Sequence, residues 1–188
     1  MSMQWFRMII TGNKEDIKRA IDLLQTDKKL LMSCINNSYI SVFEGAEVFV
    51  SNDFDVLVLH SLYENGNYYG CDYLAKAIPE IEILYKGSIC YGGEISVTVN
   101  YYMNGKEKYS ADNLPDAEYG MDIKNMTDEE IELANESYGS IYGGYEYVIK
   151  IWEREKQNFK RKTGKDYEFY EKLFSYSYLL YEYRKLKL

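Results

Sequence analysis

The chain has 188 residues, of which 46% are hydrophobic and 28% are charged, a balance typical of one globular domain with a buried core. Its formal net charge of −8 disfavours nucleic-acid binding, because phosphate contacts need Lys and Arg. No run approaches the roughly 18 apolar residues of a membrane span, and the N-terminus lacks the apolar stretch of a secretory signal. We therefore expect a cytoplasmic protein without a membrane partner.

The first predicted elements are a buried strand and an amphipathic helix. The apolar run over residues 4–11 is typical of a central strand and ends at Gly12. Asn13 is a favoured N-cap residue, and the apolar spacing that follows it predicts a helix over about residues 14–25. The buried stripe of that helix consists of Ile17, Ala20, Ile21 and Leu24.

The next stretch combines short β-rich runs with a second helix. Residues 39–43 and 46–50 favour a hairpin. Residues 54–62 alternate as a strand does, but the run is apolar enough for a buried helix, and both interpretations stand. Residues 71–78 predict a helix that Pro79 ends, because proline cannot continue it.

Two further strands and a tight turn follow. Residues 81–86 and 95–101 alternate apolar and polar side chains, which is typical of half-buried strands. Between them, residues 87–93 predict a glycine-rich turn that joins two strands, so it lacks the helix that follows a phosphate-binding loop. Asn104 and Gly105 predict a two-residue turn, after which residues 106–109 return antiparallel.

The second half of the chain changes in charge and becomes helical. Residues 112–146 hold ten acidic residues and one lysine, whereas residues 150–165 hold seven basic and two acidic residues. Apolar spacing predicts a helix over residues 147–162 that Gly164 ends, and a last helix from Asp166 onward. The side chains expected to point inward from that last helix are Tyr170, Leu173, Phe174, Ser177, Tyr178 and Tyr181, and its final turns hold Arg184, Lys185 and Lys187.

Two segments of the chain resemble one protein family. RMIITGNKEDIKRAIDLL resembles the opening strand and helix of the ferredoxin-like domain of uncharacterised phage and mobile-element proteins. LAKAIPEIEILYKGSICYGGEISVTVNYYMNGK resembles the later helix, strand and hairpin of that domain. The order of strands and helices over residues 4–86 is likewise that of a ferredoxin-like plait. The resemblance covers about residues 4–110 and implies this fold and a bacterial or phage setting, but no catalytic residue.

We therefore predict one α+β domain over residues 1–188. Its sheet-bearing core over residues 4–110 is expected to be a ferredoxin-like antiparallel sheet with helices on one face and an extra C-terminal β-hairpin. Residues 111–188 are expected to form a mainly helical extension that packs on this core.

Few residues in the chain suggest catalysis or metal binding. His60 is the single histidine, and in an apolar run it is expected to be a core residue rather than a general base. Cys34, Cys71 and Cys90 form no CxxC pair, so neither a zinc site nor any other cofactor site is predicted.

Tyrosine is the compositional outlier, with 21 residues. Two tyrosine-rich loops, residues 63–69 and 138–147, combine tyrosine with Gly, Ser or Asn, as adaptable recognition surfaces do. The candidate binding residues in these loops are Tyr68, Tyr69, Tyr142 and Tyr145. The alternative is that these rings seal the helical extension onto the sheet.

The leading functional hypothesis is a non-enzymatic binding or accessory protein that acts on a protein partner or associates with itself. The alternative is a hydrolase-type enzyme with carboxylates and tyrosines in a cleft between the sheet and the helical extension. Convergence of His60, a cysteine and a carboxylate in one pocket would favour the enzyme. A third hypothesis, an acidic mimic of nucleic acid, requires an ordered array of carboxylates over residues 112–146.

Overall fold

The computed structural model describes residues 5–26, 32–33, 39–40, 46–61, 69–91, 94–115, 127, 129, 132 and 145–186. The described strands are β1 (Trp5–Thr11), β2 (Met32–Ser33), β3 (Tyr39–Ile40), β4 (Ala46–Val50), β5 (Val56–Ser61), β6 (Glu82–Tyr91), β7 (Glu94–Met103), β8 (Lys106–Pro115) and β9 (Arg184–Leu186). The main helices are α1 (Lys14–Thr26), α2 (Tyr69–Ala77), α3 (Tyr145–Thr163), α4 (Glu168–Glu171) and α5 (Tyr176–Glu182), with a 3-10 turn at Lys172–Phe174 between α4 and α5.

A seven-stranded antiparallel sheet, in the order β8-β7-β6-β1-β5-β4-β9, organises the described part of the chain. The four central strands lie in the order β6-β1-β5-β4, and they are formed by the chain order β1, α1, β4, β5, α2, β6. The short strands β2 and β3 pair with each other in a separate sheet. The open question over residues 54–62 is thereby settled, since β5 pairs along both edges. The α+β class is confirmed, while the ferredoxin-like assignment stays a prediction.

Side chains alternate between the two faces of the sheet, and helices cover both faces. Met8 and Ile10 of β1 belong to the core beneath α1 and α2, the two helices predicted to share one face. Ile9 and Arg7 point to the opposite face, which the helical extension covers. The larger side chains that the extension buries there are Val148, Trp152, Phe159, Tyr167, Tyr170, Leu173, Phe174 and Leu179.

Phe159 of α3 is the centre of an aromatic cluster that joins the extension to the sheet. Its fully buried ring meets four tyrosine rings edge to face at centroid distances from 5.1 to 6.0 Å, those of Tyr101, Tyr109, Tyr167 and Tyr170. Edge-to-face pairs are favoured by the ring quadrupoles, and each buried ring adds about 1.5–3 kcal/mol from burial. Many tyrosines of this chain therefore serve the core rather than a recognition surface.

The turn at Asn104 and Gly105 is confirmed. Both residues have positive φ, 55° and 69°, which the tight turn between β7 and β8 requires.

The glycine-rich turn predicted at residues 87–93 is wrong at its start, because β6 continues through Gly87 to Tyr91. The Tyr85 hydroxyl lies 2.5 Å from the position of a Cβ at Gly87, so the tyrosine covers the strand where the glycine has no side chain.

The hairpin predicted from residues 39–43 and 46–50 is wrong for the described residues. β3 pairs with β2, whereas β4 pairs with β5 and β9. Strand pairing depends on distant parts of the chain, so two adjacent β-rich runs do not by themselves make a hairpin.

The last predicted helix is also corrected. It breaks at Ser175, which is extended at φ −75° and ψ 116° and whose hydroxyl accepts from the Tyr178 N–H to begin α5. The break changes the helical phase, so Ser177 is exposed and Tyr181 is 88% exposed instead of inward. Arg184 and Lys185 do not lie in a helix end, because they form β9 at the edge of the sheet. The predicted end of the preceding helix at Gly164, with φ 74°, is confirmed.

Candidate functional site

A cleft of about 350 Å³ lies between one end of the sheet and the start of α4. The ends of three neighbouring antiparallel strands meet there, because β1 finishes where β5 and β6 begin. The residues that line the cleft are Thr11, Gly12, Asp55, Val56, Glu82, Lys165, Asp166, Phe169 and Tyr170. The cleft therefore combines three carboxylates, one lysine and two aromatic rings.

The floor of the cleft is fixed by the turns that flank its strands. The Gly12 N–H donates to the Asp55 carbonyl at 3.0 Å, and a Cβ at Gly12 would lie 3.1 Å from the Ile81 side chain. The Ser51 hydroxyl donates to the Asp55 carboxylate at 2.5 Å and accepts from the Asp55 N–H at 3.0 Å. These contacts hold the Asp55 carboxylate at the strand end beside the cleft.

The opposite wall is the short link between α3 and α4. Gly164 ends α3, and the Lys165 N–H then donates to the Thr163 hydroxyl at 3.1 Å. Asp166 accepts from the Glu168 N–H at 3.3 Å and from the Lys160 ammonium at 3.2 Å. The link therefore projects Lys165 and Asp166 over the strand ends without a long loop.

A hydrogen-bond network runs from the buried core to Glu82 in the cleft. The Tyr101 hydroxyl, which belongs to a fully buried residue, donates to the Glu82 carboxylate at 2.8 Å. The Lys165 ammonium lies 2.6 Å from the other oxygen of that carboxylate. Tyr170 donates to the Tyr101 hydroxyl at 3.4 Å. Both oxygens of Glu82 are thus engaged within the protein.

The electrostatics of the cleft favour fixed anions and neutral phenols. Burial raises the pKa of Tyr101 far above its usual value, and the contacts with Tyr170 and Glu82 raise it further. Burial likewise raises the pKa of Tyr170. The hydrogen bond from Lys160 lowers the pKa of Asp166, so this carboxylate is ionised at neutral pH. Neither tyrosine is available as a phenolate, and Asp166 is not a proton donor near pH 7.

His60 lies away from the cleft in a buried cluster on the face that the extension covers. Arg7 donates to His60 Nδ1 at 2.8 Å, and its other terminal nitrogen donates to the carbonyls of Leu173 and Phe174 at 2.9 and 2.7 Å. Burial, and then the charge of Arg7, lower the pKa of His60 to about 4. His60 is 9% exposed, which confirms the prediction of a core residue.

The convergence expected of a nucleophilic enzyme does not form among the described residues. Cys71 is a fully buried residue of α2, which packs on the sheet face opposite His60, and burial raises its thiol pKa. The described part of the chain also contains no group of three or more His, Cys, Asp or Glu side chains that could hold a metal ion. Residues 116–126 and most of 127–144 lie outside the described residues, and so do most of the carboxylates of residues 112–146 that an acidic mimic requires.

The predicted tyrosine site is not among the described side chains. Tyr68 and Tyr142 lie outside the described residues, while Tyr69 and Tyr145 begin α2 and α3 with side chains that are also outside them. The sequence did indicate a carboxylate and tyrosine cleft between sheet and extension, as the enzyme alternative. Its individual residues were missed, because they come from four separate parts of the chain that only the topology brings together.

Comparison with known proteins gives no relative for this chain. No protein-family model, no curated protein and no solved structure matches it. Within the residues that the structure describes, no helix is long and apolar enough to cross a membrane. The α+β architecture and the cleft are therefore the basis on which a function is proposed.

Proposed function

We propose that this chain is a non-enzymatic binding protein of the bacterial or phage cytoplasm, and that its cleft takes a cationic side chain of a protein partner. The observation that carries the proposal is the excess of carboxylates beside an aromatic rim. Asp55, Glu82 and Asp166 line the cleft; Lys165 is paired with Glu82, and Lys160, from outside the lining, is paired with Asp166. A volume of about 350 Å³ accommodates one long side chain of a partner.

The aromatic rim supports a cation rather than a neutral ligand. Phe169 is 43% exposed, and the Lys172 ammonium already lies 5.3 Å from its ring centroid. A cation within about 6 Å of an aromatic face is attracted by the ring quadrupole, by about 0.5–1 kcal/mol at an exposed site. A guanidinium that enters the cleft would meet this ring together with the carboxylates of Asp55 and Asp166.

The hydrolase-type alternative has weaker support. General acid catalysis near neutral pH needs a carboxyl group whose pKa is raised, whereas the pKa of Asp166 is lowered. The two tyrosines that approach Glu82 are held neutral by burial. Three carboxylates around one cleft remain the feature that favours this alternative.

A titration followed by NMR tests the binding proposal. The probe is the peptide acetyl-Gly-Arg-Gly-amide, and the matched control peptide carries citrulline, which has the shape of arginine without its charge. We expect the arginine peptide alone to shift the amide signals of Gly12, Asp55 and Phe169, with an affinity that falls as salt is added. Equal shifts from both peptides, or shifts elsewhere in the chain, would exclude the proposed site.

A pair of variants provides the matched protein control. The double variant Asp55→Asn and Asp166→Asn removes two anions from the cleft, and we expect about tenfold weaker binding of the arginine peptide, or about 1.4 kcal/mol. Asp22→Asn removes an exposed anion on α1, away from the cleft, and is expected to leave binding unchanged.

A further inference from the structure

The ammonium of Lys165 already occupies one carboxylate of the cleft. Of the described residues that line the cleft, Lys165 is the one cation, and its Nζ lies 2.6 Å from Glu82 Oε1. The other oxygen, Oε2, accepts from the Tyr101 hydroxyl at 2.8 Å. Because burial raises the pKa of Tyr101 far above its usual value, this hydroxyl remains a donor at neutral pH. Oε1 is therefore the oxygen of Glu82 that is left for a cation, and in the free protein Lys165 takes it.

The backbone of Lys165 is held in place, whereas its side chain can leave. Gly164 ends α3 with φ 74°, and its N–H donates to the Lys160 carbonyl at 2.8 Å. The Lys165 N–H donates to the Thr163 hydroxyl at 3.1 Å. The Lys165 side chain is 42% exposed, and a lysine has a flexible stem of four carbons. Its ammonium can therefore move from Glu82 into water without a change in the backbone.

A guanidinium that enters the cleft competes well with this ammonium. An ion pair between partly exposed side chains changes an equilibrium constant by about fivefold at most. A guanidinium binds a carboxylate through a planar pair of N–H groups, which an ammonium lacks, and its remaining N–H groups can reach a second carboxylate. Asp55 and Asp166 line the same cleft as Glu82 and supply such carboxylates.

We propose that Lys165 is an internal ligand of the cleft, which holds Glu82 in the free protein and is displaced when the guanidinium of a partner enters. This inference rests on the proposed binding function and adds Glu82 to Asp55 and Asp166 as a carboxylate that the partner reaches. A ligand must replace a cation that is already in place, so the cleft favours cations that form several hydrogen bonds at once. Lys165 thus sets both the strength and the selectivity of binding.

Affinities for the peptide acetyl-Gly-Arg-Gly-amide test the competition. Lys165→Gln removes the internal ammonium, and we expect the peptide to bind about three- to fivefold more tightly than to the wild-type chain. The gain should disappear when Lys165→Gln is combined with Glu82→Gln, since glutamine keeps an oxygen for Tyr101 but carries no charge. Lys185→Gln is the matched control, because it removes the same charge from an ion pair with Glu47 that lies outside the cleft lining. Its affinity should equal that of the wild-type chain.

The NMR signals of the Lys165 side chain report the displacement directly. The variant Glu82→Gln, without peptide, gives their position when the ammonium has no carboxylate at residue 82. We expect the wild-type signals to move to that position when the arginine peptide saturates the protein.

Two results would overturn the displacement while the proposed binding function stands. One is a set of Lys165 signals that keep their paired position although the peptide shifts the amide signals of Gly12 and Asp55. The other is an affinity that Lys165→Gln leaves unchanged, or that it raises equally without the Glu82 charge. A peptide that binds neither the wild-type chain nor any variant would overturn the binding function and this inference together.

Discussion

Acid should destabilise this protein through His60, well above the pH range in which carboxylates titrate. The imidazole accepts from Arg7 on one side, and its ring centroid lies 5.7 Å from that of Tyr176. A proton on Nδ1 would remove the acceptor and set a cation against Arg7. Burial and Arg7 together lower the pKa of His60 from 6.5 to about 4, and the Glu47 charge only partly opposes them.

The sign and size of the effect follow from linkage. The pKa of His60 is lower in the folded state, so its contribution to stability is complete above pH 6.5 and is lost as the pH falls towards 4. The free energy of unfolding should decrease by about 2 kcal/mol between pH 7.5 and 5. The full decrease, from above the unfolded pKa to below the folded pKa of His60, should be about 3 kcal/mol. For a chain of this size, 2 kcal/mol corresponds to a decrease in Tm of roughly 4–8 °C.

Urea unfolding between pH 7.5 and 5, followed by circular dichroism, measures this decrease. The variant His60→Asn keeps an oxygen acceptor near Arg7 but does not titrate, so its stability should be nearly constant over this range. Glu47→Gln is the matched control, because it keeps His60 and should keep the decrease. The pKa of Glu47 is lowered mainly by Lys185, so Glu47 adds an effect of the same sign only below about pH 4.5. A wild-type stability that is flat down to pH 5, or an equal decrease in His60→Asn, would refute this reasoning.

Three further variants and one control test the packing, each by urea unfolding at pH 7.5. Arg7→Leu leaves two buried carbonyls and His60 without their donor, and we expect a loss of about 3 kcal/mol, whereas a loss below 1 kcal/mol would contradict the anchoring role. Phe159→Ala opens the centre of the aromatic cluster and should cost about 3–5 kcal/mol, while the exposed Tyr181→Ala should cost almost nothing. Gly105→Ala places a side chain at φ 69° and should cost about 1 kcal/mol; an unchanged midpoint would show that the turn relaxes.

Local patterns in the sequence predicted the local structure well. The apolar stripe of α1 and its Asn13 cap are confirmed, with Asn13 accepting from the N–H groups of Glu15 and Asp16 at 3.0 Å. Trp152 and Phe159 are seven residues apart, a spacing that places both on one side of a helix, and both are buried on α3. Capping and helical periodicity act within a few residues, so they can be read from a single sequence.

Features that depend on distant contacts were not predictable in the same way. Arg184 and Lys185 have the charge expected at a helix end, and nothing within three residues indicates that β4 will pair with them. Tyr181 was assigned to the wrong side because the break at Ser175 resets the helical phase. The cleft is a further example, since Gly12, Glu82 and Asp166 come together only through the order of the strands.

The contact between Arg7 and the end of the helical extension has a consequence for synthesis of the chain. The guanidinium leaves the ribosome 166 and 167 residues before the two carbonyls that it will bind. Until Leu173 and Phe174 emerge, that face of the sheet carries an arginine without these acceptors and aliphatic side chains without their cover. The nascent chain can form α1 early, but it cannot complete this core until Leu173 and Phe174 are available. Folding of this face of the sheet is therefore expected to wait for residues 173 and 174, and to depend on whatever shields the open face in the meantime.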